Sequence, residues 1–446
     1  MGVVDVVALG NMCVDVLLPP APIPAPEVLK TEAQLAAFTA ASPPQRLWEV
    51  GGNCNFLIAA ARVGLNAECV GHVGADVYGD FLRDVLADEG VPLRPLHAAA
   101  PGGAFSKEGE GTKVGTPGTL ACFVLTDGAG GHAFCSRYDL GPWPLLADLG
   151  REAERAAATA LSKGKAVFVN GFVYDELSFS GINAAVGAAK ASGASVFFDP
   201  GPRAFTFVRD PERREALAGI LSAADVVLAT LEEAAALVDE GEKAGGIADA
   251  GHAALGGTAV GSRFSEAGVE PAEVARALFD RPGCNARWIV IKCGPDGATL
   301  CTRDGTEVRM GSPTVEVGDT VGCGDSAAAA IVLGYLNVAK AEAAHLAAEG
   351  GWGGGLPEDE LRLLLEETLA LATAVGAATA TGLGAGRNVA SAAKVRELLD
   401  RCVIGGGVSD ECGFGVSMDA AARAREMLDA SLVDKETRES SESRTV

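Results

Sequence analysis

Short apolar runs alternate with alanine-rich helical segments along most of this chain. The runs are rich in Val, Ile and Phe and close on Gly, Asn or Asp, as in "VVDVVALGN", "AVFVNGF", "SVFFDPGPR" and "WIVIKCG". Segments with helical periodicity, such as "NFLIAAARVG" and "GINAAVGAAKASG", lie between them. Strands that alternate with helices indicate right-handed βαβ units. We therefore expect an α/β fold whose mostly parallel sheet is covered by helices on both faces.

The ends of these runs are the expected place for a functional site. In mostly parallel sheets, ligands bind beyond the carboxyl ends of the strands. The polar residues that close the runs at this edge are Asn11, Asn170, Asp199 and Thr230. These four positions therefore predict where a site would form.

Charge and hydropathy argue against several partners. The formal net charge is −23, and no Lys/Arg cluster offers a phosphate backbone a local basic patch, so nucleic acid is not an expected partner. No apolar run approaches the roughly 20 residues of a membrane span, and no signal or transit segment is evident, so we expect a cytoplasmic protein that does not bind membranes. The 11 cysteines contain no C-x-x-C pair and are expected to be reduced thiols.

Several regions interrupt the alternation. Residues 16–50 are Pro-rich and then helical, and residues 92–140 include "TLACFVLTD" and "HAFCSRYD" on either side of "GAGG". This second pattern predicts a β-hairpin, and we expect the two regions to form a lid. Residues 239–270 and 338–358 lack periodicity and predict surface insertions. The end of a C-terminal extension, 404–446, is polar enough to predict disorder.

The stretch "DTVGCGDS" places glycines and acids directly before an apolar helical run. Gly322 and Gly324 allow the amides of residues 322–324 to converge at a helix N-terminus, which stabilises anions. Asp325 beside such an anion hole would accept a proton from an attacking hydroxyl, as phosphoryl transfer requires. The alternative is that Asp325 only caps the helix and the glycines only form a turn.

This stretch resembles DT-x-G-x-GD, the C-terminal signature of the ribokinase-like (PfkB) carbohydrate kinases. "GNMCVD", "GGNCNFLIAAARVGLNAECVGHVGADVYGDFLRDVLADEGV", "DPGPR", "WIVIKCGPDGATL" and "ATAVGAATATGLGAGRN" are similar to further family segments. In order they cover most of residues 3 to about 400, which disfavours the capping-only alternative. The resemblance implies a ribokinase-like three-layer αβα sandwich, with a mostly parallel central sheet and a small β-sheet lid, in a kinase domain of residues 1–403.

The resemblance also implies roles for individual residues. Asp325 would be the base, with a low pKa because it lies at a helix terminus, and Gly322, Cys323 and Gly324 would form the anion hole. Asp319 and the carbonyl of Val321, with the loop of residues 382–388, would hold K⁺. The residues that would face the phosphate acceptor are Asp15, Gly51, Gly52, Asn53, Asn55 and Arg137. Those that would contact ATP are Arg203, Thr230, Glu233, Lys292, Gly294, Gly297 and Asn388.

Some of these roles have plain structural alternatives. Asn53 and Asn55 could cap a helix start, and Arg137 and Arg203 could be ordinary arginines at strand ends; if functional, either arginine could meet the triphosphate or an acidic acceptor. Cys323 could be a small filler, although a thiol at a helix N-terminus tends toward thiolate, and its oxidation would then block the anion hole.

The chain departs from the family pattern at two further positions. Thr230 replaces the Asn of N-x-x-E, although Glu233 is retained and would help to organise Mg²⁺ through water while the ion bridges the triphosphate. Gly201 replaces the Asn of D-P-N-x-R, which removes one contact to the substrate.

The leading interpretation is an ATP-dependent kinase for a hydroxymethyl group of a fructokinase- or ribokinase-like sugar. A nucleoside kinase, of the pseudouridine, adenosine or inosine type, is the first alternative, because lid side chains would determine the acceptor. A catalytically silent relative that binds sugar or nucleotide is the second. Some family members dimerise through the lid, so a homodimer is a possible assembly.

Overall fold

The computed structural model of the protein describes residues 3–96, 118–127, 132–238, 269–349, 355–404 and 415–443. Its strands occupy the apolar runs of the sequence. Their bounds are β1 (Val4–Leu9), β2 (Met12–Leu17), β3 (Trp48–Gly52), β4 (Ala67–Gly71), β5 (Leu93–Pro95), β6 (Leu120–Thr126), β7 (His132–Ser136), β8 (Gly164–Asn170), β9 (Ser195–Asp199), β10 (Val226–Thr230), β11 (Trp288–Lys292), β12 (Ala298–Thr302) and β13 (Glu307–Met310).

The α-helices occupy the segments between these strands and most of the C-terminal third. Their bounds are α1 (Pro26–Leu29), α2 (Glu32–Ala40), α3 (Asn53–Arg62), α4 (Val77–Asp88), α5 (Gly150–Leu161), α6 (Val173–Glu176), α7 (Phe179–Ala191), α8 (Ala204–Arg209), α9 (Pro211–Ala223), α10 (Leu231–Val238), α11 (Pro271–Phe279), α12 (Cys323–Ala348), α13 (Glu358–Ala380), α14 (Ala392–Ile404) and α15 (Met418–Ser443).

A nine-stranded sheet forms the centre of the molecule, in the order β13-β12-β11-β10-β9-β8-β1-β4-β5. Its pairs are parallel except β11 with β12 and β12 with β13, which are antiparallel. The alternation of strands and helices has therefore produced the mostly parallel sheet that the sequence predicts. The carboxyl ends of β8, β9 and β10 carry Asn170, Asp199 and Thr230 at one edge.

Both faces of the central sheet are buried, because successive side chains of a strand point to opposite faces. In β1, Val6 and Ala8 join a core with α3, α12 and α13, whereas Val7 and Leu9 join a second core with α5, α7 and α9. All four side chains are fully buried. The fold is therefore a three-layer αβα sandwich, as predicted.

A separate four-stranded sheet, in the order β3-β2-β6-β7, lies beside the carboxyl edge of the central sheet. Strands β6 and β7 pair antiparallel, which confirms the predicted hairpin. One face of this small sheet, which we call the inner face, carries Cys13, Asp15 and Cys122. The opposite, outer face carries Val14 and Phe123.

The outer face is covered by the protein's own chain. The ring of Phe38, on α2, lies 5.2 Å from that of Phe123, and the thiol of Cys135 donates to the carbonyl of Leu29 on α1. Val14 and Phe123 are at most 1% exposed. A homodimer through this face would require α1 and α2 to move away, so the covering disfavours that assembly. The homodimer itself stays a prediction.

Two segments differ from the sequence prediction. Residues 338–348 continue α12, with Val338 buried in the core, instead of forming an irregular insertion. Helix α15 extends through most of the predicted disordered end. The guanidinium of Arg438, on this helix, pairs with buried Asp5 at 2.7 Å, and the ammonium of Lys435 donates to the carbonyl of Ala61 at 3.0 Å. These contacts hold a polar helix that lacks a strong hydrophobic pattern.

The helices and strands do not test all of the predicted lid, insertion and domain boundaries. Residues 97–117, 239–268 and 350–354, which fall in predicted lid and insertion segments, lie outside the described residues. Helix α15 packs against α13 and α14. A domain boundary at residue 403 therefore stays a prediction.

Two described helices, α12 and α13, are long and apolar enough to cross a membrane by length and composition alone. Their most apolar windows are 50% and 72% buried inside the fold. Core helices pass the same test, so this is weak evidence for a membrane span.

Candidate active site

The N-terminus of α12 presents an open cradle of backbone. Gly322 precedes the helix with a φ of +79°, which only glycine adopts readily. A Cβ on Gly322 would lie 2.9 Å from the Cβ of Ala385, and a Cβ on Gly324 would lie 3.4 Å from Nζ of Lys292. A side chain at Gly322 would collide with Ala385, and Gly324 leaves the start of the helix open beside the ammonium of Lys292. This arrangement suits an anion.

Asp325 follows the cradle in the first turn of α12. Its Oδ2 accepts a hydrogen bond of 3.0 Å from Nδ2 of Asn55, on α3. The Oδ1 of Asn55 in turn accepts from the amide of Gly386 at 2.8 Å. Asn55 therefore does not cap α3, which begins after Gly52. It orients Asp325 and ties it to the loop that precedes α14.

The predicted low pKa of Asp325 was wrong. Burial raises the pKa of Asp325 to about 6, although the hydrogen bond from Asn55 acts in the opposite direction. The carboxylate of Asp199 raises this pKa further, and Lys292 opposes it. Loss of solvent contact therefore outweighs the helix terminus. A carboxylate with a pKa near neutrality is better suited to accept a proton than one with a low pKa.

The predicted thiolate character of Cys323 was also wrong. Burial raises the pKa of the Cys323 thiol to about 12, and the carboxylates of Asp319 and Asp325 raise it further. A helix N-terminus lowers a thiol pKa only where desolvation and neighbouring acids do not outweigh it. The structure therefore favours the small-filler alternative.

This difference is measurable by alkylation. Iodoacetamide at pH 7.5 is expected to label Cys323 far more slowly in the folded protein than in the chain unfolded by guanidinium, because only the thiolate reacts. Peptide mass spectrometry after timed quenching would report the rate at this one cysteine. Rapid labelling of the folded protein, with an activity loss that Cys323→Ala prevents, would restore the redox hypothesis.

Asp15 lies on the inner face of the small sheet and is 9% exposed. Burial raises the pKa of Asp15 to about 7; a hydrogen bond from the Cys13 thiol lowers it, and the carboxylates of Asp325 and Glu49 raise it. The small sheet therefore places Asp15 within electrostatic range of Asp325. The two acids come from strand β2 and helix α12, which are far apart in sequence.

The glycine pair of β3 makes room for this arrangement. A Cβ on Gly51 would lie 2.3 Å from Cγ of Asp15, so the acid occupies the space that a side chain would need. Gly52 has a φ of +61°, and a Cβ there would lie 2.2 Å from the carbonyl oxygen of Asn11. Both positions must therefore be glycine, because a side chain at either one would collide with Asp15 or with the backbone at Asn11.

Asn53 is 1% exposed, and its side chain is fully engaged with protein groups. Its Nδ2 donates to the carbonyls of Leu9 and Gly10, both at 2.9 Å, and its Oδ1 accepts from Asn170 at 2.7 Å. The structure therefore supports neither the predicted acceptor contact nor helix capping. Asn53 joins the ends of β1 and β8 to the start of α3.

Lys292 extends from the end of β11 and lies between acids. Its Nζ is 2.5 Å from Oδ2 of Asp199. Burial lowers the pKa of Lys292, but the carboxylates of Asp199 and Glu233 outweigh this and leave the pKa above its ordinary value. A firmly charged ammonium therefore lies beside Gly324. The sequence marked Asp199 only as a strand end, and the structure makes it the partner of this lysine.

Thr230 and Glu233 form a reciprocal cap at the start of α10. The amide of Thr230 donates to Oε2 of Glu233 at 2.8 Å, and the amide of Glu233 donates to Oγ1 of Thr230 at 3.2 Å. The hydroxyl of Thr230 thus caps the start of α10. Burial raises the pKa of Glu233, and the nearby Lys292 opposes this.

The two predicted arginines have protein partners. Arg203 is 6% exposed; its Nε donates to Oδ2 of Asp175 at 2.6 Å and its Nη2 to the carbonyl of Tyr138 at 2.9 Å. These contacts direct Arg203 toward the end of the small sheet, whereas the prediction assigned it to ATP. Arg137 pairs with Glu32 of α2 at 3.2 Å. The contact that the structure gives Arg137 is therefore with α2, one of the two helices that cover the outer face of the small sheet.

Asp319 joins two loops that the sequence assigned to a cation. Its Oδ1 accepts from the amide of Val321 and its Oδ2 from the amide of Gly384, both at 3.0 Å. Asn388 is exposed in the same loop, and its Nδ2 donates to the carbonyl of Leu383 at 2.6 Å. The two loops meet, as the sequence predicts. The group of Val321 that contacts Asp319 is its amide, whereas the prediction assigned the carbonyl of Val321 to the cation.

Gly294 and Gly297 shape the turn between β11 and β12. Their φ values are +57° and +89°, and a Cβ on Gly297 would lie 2.0 Å from the carbonyl oxygen of Met310. These glycines are therefore required by the turn itself.

Sequence reasoning did not single out Glu176, on α6. Its Oε1 accepts from the hydroxyl of Tyr138 at 2.6 Å, and its Oε2 accepts from the amide of Asn11 at 2.8 Å. Burial raises the pKa of Glu176 to about 7. This carboxylate holds Asn11, whose φ is +52°, in the turn between β1 and β2. Its one sequence signal is an acid pair inside the apolar stretch "GFVYDELSF".

The family model described as "pfkB family carbohydrate kinase" matches residues 43–102 and 142–392. The chain belongs to the PfkB family of carbohydrate kinases. A curated relative from Bacillus thuringiensis (strain Al Hakam), named 5-dehydro-2-deoxygluconokinase, is 24% identical over 338 residues, which cover 74% of this chain and 82% of the relative.

Solved structures have the same fold. A putative ribokinase II from E. coli in complex with ATP and Mg²⁺ aligns with a TM-score of 0.58 at 17% identity, over 89% of this chain and 99% of that chain. A fructokinase from Xylella fastidiosa with bound ATP aligns with a TM-score of 0.57 at 19% identity, over 89% and 98%. The protein is an ATP-dependent carbohydrate kinase with a ribokinase-like fold.

Proposed function

We propose that this PfkB kinase transfers the γ-phosphoryl group of ATP to a hydroxymethyl group of a sugar, with Asp325 as the base. The observation that carries the proposal is the position of Asp325. It is held by Asn55 directly beside the open amides of α12 and the ammonium of Lys292. A base, an anion cradle and a cation then surround one point, which is what phosphoryl transfer requires.

The residues suggest a division of work during the reaction. Asp15 accepts hydrogen bonds from acceptor hydroxyls and fixes the sugar, while the reacting hydroxyl lies against Asp325. As the oxygen–phosphorus bond forms, the hydroxyl proton passes to the carboxylate of Asp325. The amides of residues 322–324 and Lys292 stabilise the charge on the transferring group. The small sheet covers the acceptor and limits competition by water.

Magnesium fits this site only together with phosphate. Within the described parts of the chain, no group of three His, Cys, Asp or Glu could hold a metal ion. Asp199 is paired with Lys292, and Glu233 caps α10. We therefore propose that Mg²⁺ is held chiefly by triphosphate oxygens, whose charge it neutralises, with Glu233 acting through water.

A potassium site is proposed at Asp319. The carboxylate bridges the loop before α12 and the loop before α14, because one oxygen accepts from the amide of Val321 and the other from the amide of Gly384. Carboxylate and carbonyl oxygens suit a hard monovalent ion, which would stiffen both loops around the anion cradle. The proposed activity is cytoplasmic and requires no nucleic acid or membrane.

The acceptor class is tested by a screen of pentoses, hexoses, ketoses, keto acids and nucleosides with Mg-ATP, with and without K⁺. A gluconate-type acceptor is included because the curated relative is named for one. We expect rapid ATP consumption with one sugar or sugar acid. Fast turnover of a nucleoside would replace the sugar assignment, and failure of every acceptor would favour a silent binding protein.

Asn55→Ala is expected to move the acidic limb of the kcat/KM profile to higher pH by about 1–2 units. Asp325 must be ionised to accept the proton, and Asn55 is the hydrogen bond that lowers its pKa toward about 6. Without that bond, protonation and loss of activity begin at a higher pH. Asn183→Ala, on the exposed side of α7, is the matched control. An unchanged limb in Asn55→Ala would show that another group sets it.

A further inference from the structure

The loop that precedes α14 contacts the small sheet through an ion pair. The guanidinium of Arg387 donates to both carboxylate oxygens of Glu49 on β3, with Nη2 2.7 Å from Oε1 and Nε 3.2 Å from Oε2. The backbone amide of Arg387 also donates to Oε2 of Glu49, at 3.1 Å. A forked contact of this kind fixes orientation as well as distance. Neither residue has a part in the transfer step proposed above.

Gly386 allows the loop to approach the small sheet this closely. Its φ is +62°, and a Cβ there would lie 2.7 Å from Oε2 of Glu49 and 2.7 Å from the carbonyl oxygen of Val50. A side chain at this position would therefore push the loop away from β3. Strand β2 makes a second contact, because a Cβ on Gly384 would lie 3.2 Å from Cδ1 of Leu17. The loop thus lies against two strands of the small sheet.

The same loop also holds the proposed base. The amide of Gly386 donates to Oδ1 of Asn55 at 2.8 Å, and Nδ2 of Asn55 donates to Oδ2 of Asp325 at 3.0 Å. Two consecutive amides of the loop, those of Gly386 and Arg387, therefore bond to different elements. One bonds to the side chain that orients the base, and the other bonds to the small sheet. A movement of the small sheet that displaces one amide will also displace the other.

Glu49 lies directly beside the acid that is proposed to bind the acceptor. Asp15 on β2 is paired with Glu49 on β3, so both carboxylates are on the inner face. Like charges on directly opposed residues of neighbouring strands destabilise a sheet. The side chain of Glu49 is only 10% exposed, so its charge needs a cation. Arg387 supplies that cation while the small sheet lies against the loop.

Arg387 is suited to a contact that can open. Its side chain is 49% exposed, and the hydrogen bond with Glu49 raises its pKa, although partial burial opposes this. When the contact opens, water can solvate the guanidinium, whereas the carboxylate of Glu49 remains beside Asp15. A half-exposed ion pair also contributes only modestly to stability. The pair therefore favours the closed arrangement without preventing its opening.

We propose that Glu49 and Arg387 are positioning residues that couple the small sheet to the base. When the small sheet lies over the acceptor, Glu49 holds the loop before α14 in the conformation that orients Asn55, and Asn55 then orients Asp325. Closure over an acceptor held by Asp15 and alignment of the base thereby occur together. This inference rests on the proposed function, and it adds two residues that act through other side chains.

Hydrogen–deuterium exchange tests the coupling without an acceptor. The wild type and Glu49→Ala are each measured alone and with Mg-AMP-PNP, a non-hydrolysable analogue of ATP. In the wild type we expect the analogue to slow exchange at residues 322–326, where its phosphates would bind, and also in β3, an edge strand of the small sheet. Glu49→Ala should keep the first effect, which shows that nucleotide binds, and lose the second. Arg387→Gln, at a half-exposed position, should reproduce this loss.

A double-mutant cycle tests the link to the base. The acceptor is whichever of D-fructose, D-ribose and 5-keto-D-gluconate the wild type phosphorylates fastest. Glu49→Ala is expected to lower kcat/KM by about 10- to 100-fold in the wild-type background and by less than about threefold in Asn55→Ala, because both residues act on the base in series. Glu49→Gln should keep much of the activity, since its amide oxygen still accepts from the amide of Arg387.

The matched control is Glu307→Ala, which removes an exposed ion pair with Arg276 on another part of the central sheet. It should match the wild type in exchange and in kcat/KM. A thermal unfolding midpoint of Glu49→Ala close to that of the wild type would show that this variant is folded.

The coupling is overturned if the analogue leaves exchange in β3 unchanged in the wild type, or still slows it in Glu49→Ala. Equal losses of kcat/KM in the two backgrounds would show that Glu49 does not act through Asn55. Failure of the proposed function gives a different result. Near wild-type kcat in Asp325→Asn would reject the base, and the exchange experiment would still decide whether the loop couples the anion cradle to the small sheet.

Discussion

Asp325→Asn is expected to lower kcat by about 10²- to 10⁴-fold, the usual contribution of a positioned general base. The amide has nearly the same shape as the carboxylate, and its oxygen can still accept the hydrogen bond from Asn55 that now ends on Oδ2. It cannot take a proton from the acceptor hydroxyl. Steady-state kinetics would measure the loss, and calorimetry should show ATP binding that remains intact.

A matched control for this substitution is Asp80→Asn, an exposed acid on α4 that pairs only with Arg83 among the described residues. It should retain wild-type kcat. If Asp325→Asn also kept kcat within about threefold of wild type, the base would have to be another group, because general base catalysis contributes more than this.

Asp175→Ala is expected to reduce the free energy of unfolding by about 3–5 kcal/mol. Asp175 is 1% exposed and bonds to Arg203 and Arg213, both at 2.6 Å. Its removal leaves two guanidinium groups buried without their shared anion. The ring of Phe172, 4.5 Å from the Arg203 guanidinium, compensates little of that loss. Equilibrium denaturation in urea would measure the change.

The control is Asp80→Ala, which removes an exposed ion pair and should change the free energy of unfolding by less than about 1 kcal/mol. A similarly small effect of Asp175→Ala would mean that the two arginines find other partners or water. In that case Arg203 would be mobile enough to serve the nucleotide, and the original sequence assignment would regain support.

The fold and the position of Asp325 at a helix N-terminus followed from local patterns. Apolar runs that end in polar residues predicted the parallel sheet, because strands buried on both faces must be continuously apolar. "DTVGCGDS" predicted a helix N-terminus with accessible amides, because glycine is the residue that tolerates the φ of Gly322. Both features depend on residues that are adjacent in sequence, so they can be predicted without the tertiary structure.

The pKa values of Asp325 and Cys323, in the same stretch, could not be predicted from the neighbouring residues in sequence. The low pKa expected for Asp325 and the thiolate expected for Cys323 both came from the helix terminus alone. Burial raises both pKa values, to about 6 and about 12, because groups distant in sequence exclude water from them. Asn55 lies on α3, 270 residues away in sequence from Asp325, and only the packed structure brings the two together.

The arginines show the same limit. "DPGPR" placed Arg203 at a strand end, where either ATP or the acceptor was a reasonable partner. The choice depends on Asp175, Tyr138 and Asp139, which reach Arg203 from other elements. By itself the sequence determined the α/β fold and the residue types at the N-terminus of α12. Only the tertiary structure decided which charges are paired with one another, because pairing depends on distances across the chain.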